Sequence, residues 1–578
     1  MAIGRTAAML LAAALLSACS TSTPRSDGGT SGAPRSGSSQ GTEPKSLTLA
    51  FRYEKNDLST KTLSQAGQEY RPLFNAGFAL VDGTGTLQPM LATDLPKLNT
   101  ESWLVSPDGR METTWKLKPN LRWHDNQPLT ADDFVFAWRV YSAPGLGIFS
   151  PTPQAHISEA LAPDSQTVVF RWSALYPDAD LMTSDEFPPL PRHLLATPFD
   201  AFEQDAGTRE LFVNHRYWNE GYVGAGAYKL DRLDPGTGLD GSAFEHYALG
   251  KPKIDRVIAR IVGDENTVLS SMLADAIQVS SSITLRHEHA LVLQREWATN
   301  KRGSVSMAPA RLVNNIVQFR PEYQKTPALL DVRVRKAMVS SVNLQELNDA
   351  LFEGQSVNPT MYMIPGGPSA RVVEPLITKY PFDPRRTEQY LNEAGFAKDR
   401  DGLFANSAGE RFRPDFQVLT GTQFERGGAL MTDTWRRVGI DVQPSVLPAV
   451  QVRQNEVRNT YPGISTPGAA GGTEKGMLEY FASNQVGSPA NGWVGSNRGG
   501  WANPDYDRMW TAFNVTLDRA DRTRITAEMM KVLSDEVSGW PLYWDFNVMA
   551  YTADVRGPDL GLANTSTGFW NIHEWEMR

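Results

Sequence analysis

Between Pro107 and Tyr141 the spacing of apolar and polar positions changes several times within one short stretch. Thr113, Trp115 and Leu117 alternate with polar neighbours, the period of a half-buried strand. Leu121 and Trp123 repeat the alternation beyond Pro119-Asn120 and predict a second strand. Phe134, Ala137, Trp138 and Tyr141 then recur at i, i+3, i+4 and i+7, one apolar face of a helix. The joints are specified as well. Pro107-Asp108-Gly109 predicts a turn, because Pro fixes φ and Gly accepts a positive one. His124-Asp125-Asn126 predicts another. Thr130 with Asp133 predicts a capping box, and Asp132 and Asp133 suit the positive end of the helix dipole. The unit reads strand, turn, strand, turn, capped helix.

The same patterns continue outward. Residues 47–53 alternate and predict the first strand of a core sheet. Residues 71–80 predict a helix that leads to a hairpin around Asp82-Gly83-Thr84-Gly85. Asp164 opens a turn and strand over 164–170, and residues 251–261 predict another strand. Asp264 opens a helix with Val268, Leu269, Met272, Leu273 and Ala276 on one face. Asp331, Asn343 (with Glu346) and Asp383 (with Pro384 at the first helical position and Gly395 past the end) are helix caps. Residues 416–419, 427–438 and 440–442 read as strand, helix and strand, the rhythm of a second α/β lobe. A helix over 520–533 leads to Trp540-Pro541-Leu542-Tyr543.

A chain of 578 residues, 41% hydrophobic and 21% charged, is ample for two or more domains. A net charge of −9 without a basic block argues against nucleic acid as a partner. The N-terminus is a targeting segment: Arg5, then an apolar run over 7–16 too short for a permanent membrane span. Leu16-Ser17-Ala18-Cys19 resembles the lipobox of bacterial lipoproteins, which makes 1–18 a signal peptide and Cys19 the lipidated mature N-terminus. Cys19 is the only cysteine, so disulfides, Cys-zinc sites and a thiol nucleophile elsewhere are excluded. The Ser-, Thr-, Gly- and Pro-rich residues up to Lys45 cannot bury enough surface to fold and predict a flexible tether, 19–45 with the anchor.

Trp103-Leu104-Val105-Ser106-Pro107-Asp108-Gly109 and Trp123-His124-Asp125-Asn126-Gln127-Pro128-Leu129-Thr130-Ala131-Asp132-Asp133 together resemble the signature of bacterial extracellular solute-binding proteins of family 5. These are peptide-, nickel- and oligosaccharide-binding components of ABC importers. Asn126 stands where the family has Gly, and Asn also tolerates the left-handed region. The resemblance extends through Leu87–Ala92, Phe187–His193, Val223–Leu230, Lys251–Ile261, Asp331–Met338, Tyr380–Phe396, Asn503–Trp510 and Trp540–Tyr543. Ala225, Ala227 and Gln278 depart from it. The Gly224/Gly226 pair is followed by no phosphate-loop motif and predicts a structural turn.

The resemblance implies an α/β, two-lobed periplasmic-binding-protein fold with an extra N-terminal subdomain and a hinged cleft. Lobe one would combine 46–85, 219–303 and 546–578, with the subdomain 86–218 packed on it. Lobe two would be 304–545, and the crossings near 304–319 and 547–551 would be the hinge strands. The implied function is capture of a small solute, by default a peptide, and its delivery to the permease and ATPase of an ABC importer from a membrane-anchored, monomeric lipoprotein in the cell envelope. The alternatives are a binder of another solute such as an oligosaccharide or opine, a sensor without transport, and, less favoured, an envelope hydrolase.

The signature is structural, so the pocket must lie elsewhere. Peptide-binding relatives present an Asp for the peptide amine shortly before the Asn-Pro helix. The comparable residues 463–472 hold no carboxylate here, although Glu474 or Glu479 could substitute. The loop 491–501, rich in Gly, amide and Trp, suits a polar ligand and supplies Trp493, Asn497, Arg498 and Trp501 as candidates. Tyr53, Glu54, Ser280, Ser281, Asn314 and Asn315 are candidates at strand ends. The chain has no HExxH, and its one GxSxG, Gly37–Gly41, falls in the Ser- and Gly-rich tether rather than between a strand and a helix of the expected core. His287-Glu288-His289 lacks a third ligand and predicts a solvated helix surface rather than a metal site. No cofactor and no metal are expected.

Overall fold

The computed structural model describes residues 44–54, 58–59, 68–147, 152–467, 469–471, 473–561 and 568–578. The expected signal peptide, Cys19 and nearly all of the tether lie outside the described residues. One long sheet organises the rest. Its order is Gln443–Leu447, Asp415–Leu419, Ile464–Thr466, Gly303–Val317, Gly539–Thr552, Val279–Ser280, Ser46–Phe51, Arg256–Ile261, Gly238–Ala243 and Tyr228–Asp234. Ala469–Gly471 also pairs with Gly303–Val317.

The central pair sets the architecture. Gly303–Val317 and Gly539–Thr552 are 15 and 14 residues long, against about 5–6 for an ordinary strand. They run antiparallel, Ser304 opposite Tyr551 at one end and Ile316 opposite Gly539 at the other. Val279 pairs with Tyr551 at the first end, and Ile464 with Val317 at the second. The ribbon therefore belongs to one half of the sheet at each end. Register shifts at Pro309/Arg311 and Val313/Asn314 bend it in the middle. Three hydrophobic cores flank it. One gathers Leu49, Phe74, Trp115 and Phe134, a second Val313, Trp435 and Phe546, and a third Leu312, Trp501, Tyr506 and Trp544.

The strand-and-helix unit forms a four-stranded antiparallel sheet: Trp103–Val105, Met111–Lys116, Thr167–Trp172 and Ile157–Asp164. The helix Ala131–Ser142 covers it, and both halves of the Thr130/Asp133 capping box form. Phe134, Ala137 and Tyr141 are buried, and Phe134 stacks on Phe78 with centroids 3.9 Å apart. Asn126 takes φ +67°, the left-handed turn for which its residue type is suited.

Three expected elements differ. Leu121 and Trp123 are buried as their alternation requires, but they form no strand. Leu121 O and Trp123 N bond to Leu129 and Gln127 of the same loop, which closes on itself. The helix expected over 71–80 stops at Phe74. Gly77 lies so close to Thr183 and Ser184 that a Cβ would sit 2.4 Å from their backbone, and Ala79–Val81 is a strand instead. The strand expected at 440–442 begins at Gln443, because Ile440 and Val442 fill the core beneath it.

His124 joins the signature to the Gly224/Gly226 turn. Gly224 N donates to His124 Nδ1 at 3.2 Å, and His124 Nε2 lies 3.1 Å from Gly226 O. A Cβ on Gly224 would stand 2.0 Å from Phe74 O, so the turn is glycine for reasons of space. Burial pulls the His124 imidazole down to about 4, so it is neutral at pH 7.

Candidate functional site

The candidate residues divide between the two ends of the long ribbon. At the first end, Ser280 and Ser281 are fully buried. Ser280 Oγ accepts from Ala550 N at 3.0 Å and so fixes the long strand to its neighbour. Ser281 Oγ donates to Glu69 Oε1 at 3.0 Å and lies 2.6 Å from Thr284 Oγ1. Glu69 escaped the sequence reading, because a lone Glu ahead of a short helix carries no motif. Burial raises its carboxyl above the ordinary range, against bonds from the backbone and Ser281 and the charges of Arg52 and Arg71. Its Oε2 is buried with no partner among the described residues. Tyr53 is 43% exposed, with the Arg52 guanidinium 5.3 Å from its ring centroid. Glu54 is exposed and accepts from Gly236 N.

At the second end, Asn314 and Asn315 point to opposite faces of one strand. Asn315 is used by the fold: Thr466 Oγ1 donates to its Oδ1 at 2.6 Å, and its Nδ2 reaches Met431 Sδ at 3.5 Å. Asn314 is fully buried, with the Tyr362 and Tyr480 hydroxyls as the hydrogen-bonding neighbours of its carboxamide.

The 491–501 loop is held by its own polar residues. Asn497 Nδ2 donates to the carbonyls of Phe481, Ala482 and Trp501 at 3.1, 3.1 and 2.8 Å. Trp501 is buried in the third core, 5.2 Å from the Tyr506 ring. Trp493 is half-buried, with the Arg320 guanidinium 5.9 Å from its ring. Arg320 braces the loop from below through bonds to the carbonyls of Gly487, Asn459 and Arg498. Arg498 alone of the four loop candidates reaches the strand edge, donating to Pro467 O at 3.0 Å. Arg458, which no motif marks, donates to the same carbonyl at 2.9 Å. The structure thus brings Asn314 and Arg498 together around Tyr480, with Arg458 added, and leaves Asn497 and Trp501 bonded within the fold.

His287 and His289 are not on a solvated surface. Both are buried, because their helix lies along the long ribbon. The His287 ring stacks on Phe546 at 5.4 Å, and His289 Nδ1 accepts from Arg286 N at 3.2 Å. Among the described residues no helix is long and apolar enough to cross a membrane.

The family model of bacterial extracellular solute-binding proteins, family 5 (Middle), matches residues 88–488. The chain belongs to this family, whose members bind solutes. It is 24% identical over 300 residues to a Brucella ovis protein whose name provisionally assigns it to peptide binding for an ABC transporter; the match takes in 52% of this chain and about half, 51%, of that protein. It is 20% identical over 520 residues to the oligopeptide-binding protein AppA of Bacillus subtilis, covering 87% of this chain and 89% of that one. Its fold is that of an oligopeptide-binding protein from Thermus thermophilus solved with a pentapeptide. The TM-score is 0.68 at 20% identity, over 92% of this chain and 96% of the other. The two-lobed solute-binding fold is thereby shown.

Proposed function

We propose that this chain is the extracytoplasmic receptor of an ABC importer, which traps a peptide or similar polar solute between two lobes and delivers it to a membrane permease. The observation that carries the reading is the family match across 88–488 on a fold whose halves share two long strands. The names of the relatives favour peptide as the solute. The lobes are taken as 46–85 with 219–303 and 546–578, bearing the subdomain 86–218, against 304–545. Bending of Gly303–Val317 and Gly539–Thr552 would open and close the cleft, and solute would favour the closed state through contacts with both lobes. Lipidation at Cys19 and the tether up to Lys45 would keep the receptor, as a monomer, near its permease and ATPase. The role requires no catalysis.

Uptake tests the reading. Cells lacking this protein should take up a labelled tripeptide several-fold more slowly than the parent, with recovery when the intact gene is restored. Unchanged uptake of peptides and other polar solutes, with solute binding by the purified protein intact, would overturn import in favour of sensing.

A further inference from the structure

A cavity of about 480 Å³ lies beside the start of Gly539–Thr552. Val339, Leu344, Ile377, Met530, Leu533 and Pro541 give it apolar walls. Every residue lining it falls between 339 and 541, so it takes nothing from the segments assigned to lobe one. The loop 491–501 and the strand end at Pro467 do not line it either. Phe382 lines it while 40% exposed, so the cavity reaches the surface there.

Most of the polar lining is already bonded within the protein. Asn343 Oδ1 accepts from Glu346 N at 3.1 Å, Asn358 Nδ2 donates to Gln345 Oε1 at 2.9 Å, and Ser534 Oγ accepts from Thr378 N at 3.1 Å. Lys379, the one charged residue among those lining the cavity, pairs with Glu374 at 3.1 Å. Two groups stand apart. Trp540 is 1% exposed, and its Nε1 is buried with no hydrogen-bond partner among the described residues. The Tyr380 hydroxyl is buried and unpartnered in the same way. Buried polar groups ordinarily have a partner, and an apolar pocket with a few unpaired polar atoms in its wall is the usual form of a small-molecule site.

The lining also defines the ligand's chemistry. An indole N–H can only donate, so it needs an acceptor. Burial raises the Tyr380 hydroxyl above its ordinary range and keeps its proton on, so it offers a second donor. A carboxylate or an ammonium would enter apolar space with no free counter-charge to offset its desolvation. A neutral carbonyl or hydroxyl oxygen meets no such penalty. A cavity of about 150 Å³ already admits benzene, so this one has room for roughly two or three rings.

We propose that this cavity is a second ligand site, separate from the interlobe cleft, which takes a neutral, mainly apolar molecule whose oxygen accepts from Trp540 and Tyr380. The site stands whether or not the chain imports peptides.

Photolabelling tests it, on the full chain held in lipid nanodiscs. The probes are benzophenone, a neutral two-ring ketone that inserts into nearby C–H bonds when irradiated, and its anionic relative 4-benzoylbenzoate, at equal free concentrations. Peptide mass spectrometry should place saturable benzophenone adducts on the lining segments 339–345, 377–382 and 530–541, with roughly tenfold less from the anion. Trp540→Phe and Tyr380→Phe keep the ring and remove the donor. Each should lower the labelling about threefold or more at limiting benzophenone, with a melting curve that shows the variant folded. Where a variant unfolds, the contrast between the two probes on the wild-type protein decides. Adducts scattered over the surface or gathered at 463–501, equal labelling by the two probes, or labelling unchanged in both folded variants would overturn the proposal and leave the receptor reading untouched.

Discussion

Arg522 Nη1 donates to Asp178 Oδ1 at 2.5 Å, joining two hydrophobic cores that lie far apart in sequence. Arg522 belongs to the helix Arg519–Glu536, whose Ile525 and Met529 fill the third core. Asp178 sits beside Ala179 and Met182 of the first. The contact is not a lone pair. Arg522 Nη2 reaches Asp178 Oδ2 at 3.2 Å, Arg519 pairs with Asp180 at 2.5 Å, and Lys475 lies 3.5 Å from Asp178. Both side chains of the central pair are largely buried, so salt screens it less than a surface pair.

This network acts as a clasp between the part carrying the signature and the part carrying the long C-terminal helix. Arg522→Ala or Asp178→Asn should accelerate release of bound solute about five- to tenfold, which corresponds to ~1 kcal/mol lost from the closed state. Stopped-flow tryptophan fluorescence reads the rate. An unchanged rate would show that the clasp is indifferent to ligand release.

The clasp has a pH sign. Burial pushes the Asp178 carboxyl up, but the Arg522 hydrogen bond and charge, with Lys475, outweigh it and hold it below the ordinary 3.8. A depressed carboxyl contributes stability that is complete above the ordinary value and is lost as pH falls through the lowered one. Wild-type protein should therefore lose more stability than Asp178→Asn between pH 4 and pH 2, seen in parallel melting curves.

His124 works in a different window. Its folded-state value, about 4, lies below the ordinary 6.5, so the unfolded chain binds the extra proton between them. Stability should fall as pH drops from 6.5 toward 4, by up to ~1.4 kcal/mol per unit. His124→Asn should flatten that slope, and should lower the melting temperature at pH 7 because the Gly224 and Gly226 backbone loses its partner. Identical slopes in the two proteins would contradict the buried neutral imidazole.

Gly226 is the backbone side of the same contact. A Cβ there would lie 2.4 Å from Phe74 C and 2.5 Å from Asn75 N, with no flexible atom to yield. Gly226→Ala should destabilise by ~1–3 kcal/mol or prevent folding, whereas Gly236→Ala on an open turn meets nothing and carries only the strain of its φ of +76°. Denaturant unfolding of the two variants makes the comparison.

The fold was legible where local chemistry and tertiary packing agree. Thr130 and Asp133 cap a helix in any context that places an apolar face beside them, and Asp264, Asp331 and Asp383 cap theirs for the same reason. Legibility failed where distant segments decide. The chain beyond Phe74 leaves the helix and packs Gly77 against Thr183, more than a hundred residues away. His287 is buried because its helix lies along a ribbon whose two strands, Gly303–Val317 and Gly539–Thr552, are more than two hundred residues apart in sequence. The site was less readable still. Asn314 and Arg498 were visible as polar residues at strand and loop positions, but that both neighbour Tyr480 is something only the assembled fold reveals. Arg458 and Glu69 carry no motif and were missed. Asn497, equally polar, spends its amide on three carbonyls.

The central claim is that the chain captures solute, and native mass spectrometry of the protein purified from its own envelope tests it most directly. The account predicts adducts on the folded protein that are released by denaturing extraction and resolve into short peptides. The contradicting result is a folded protein without any adduct, together with a melting temperature that no peptide or sugar of a broad panel raises.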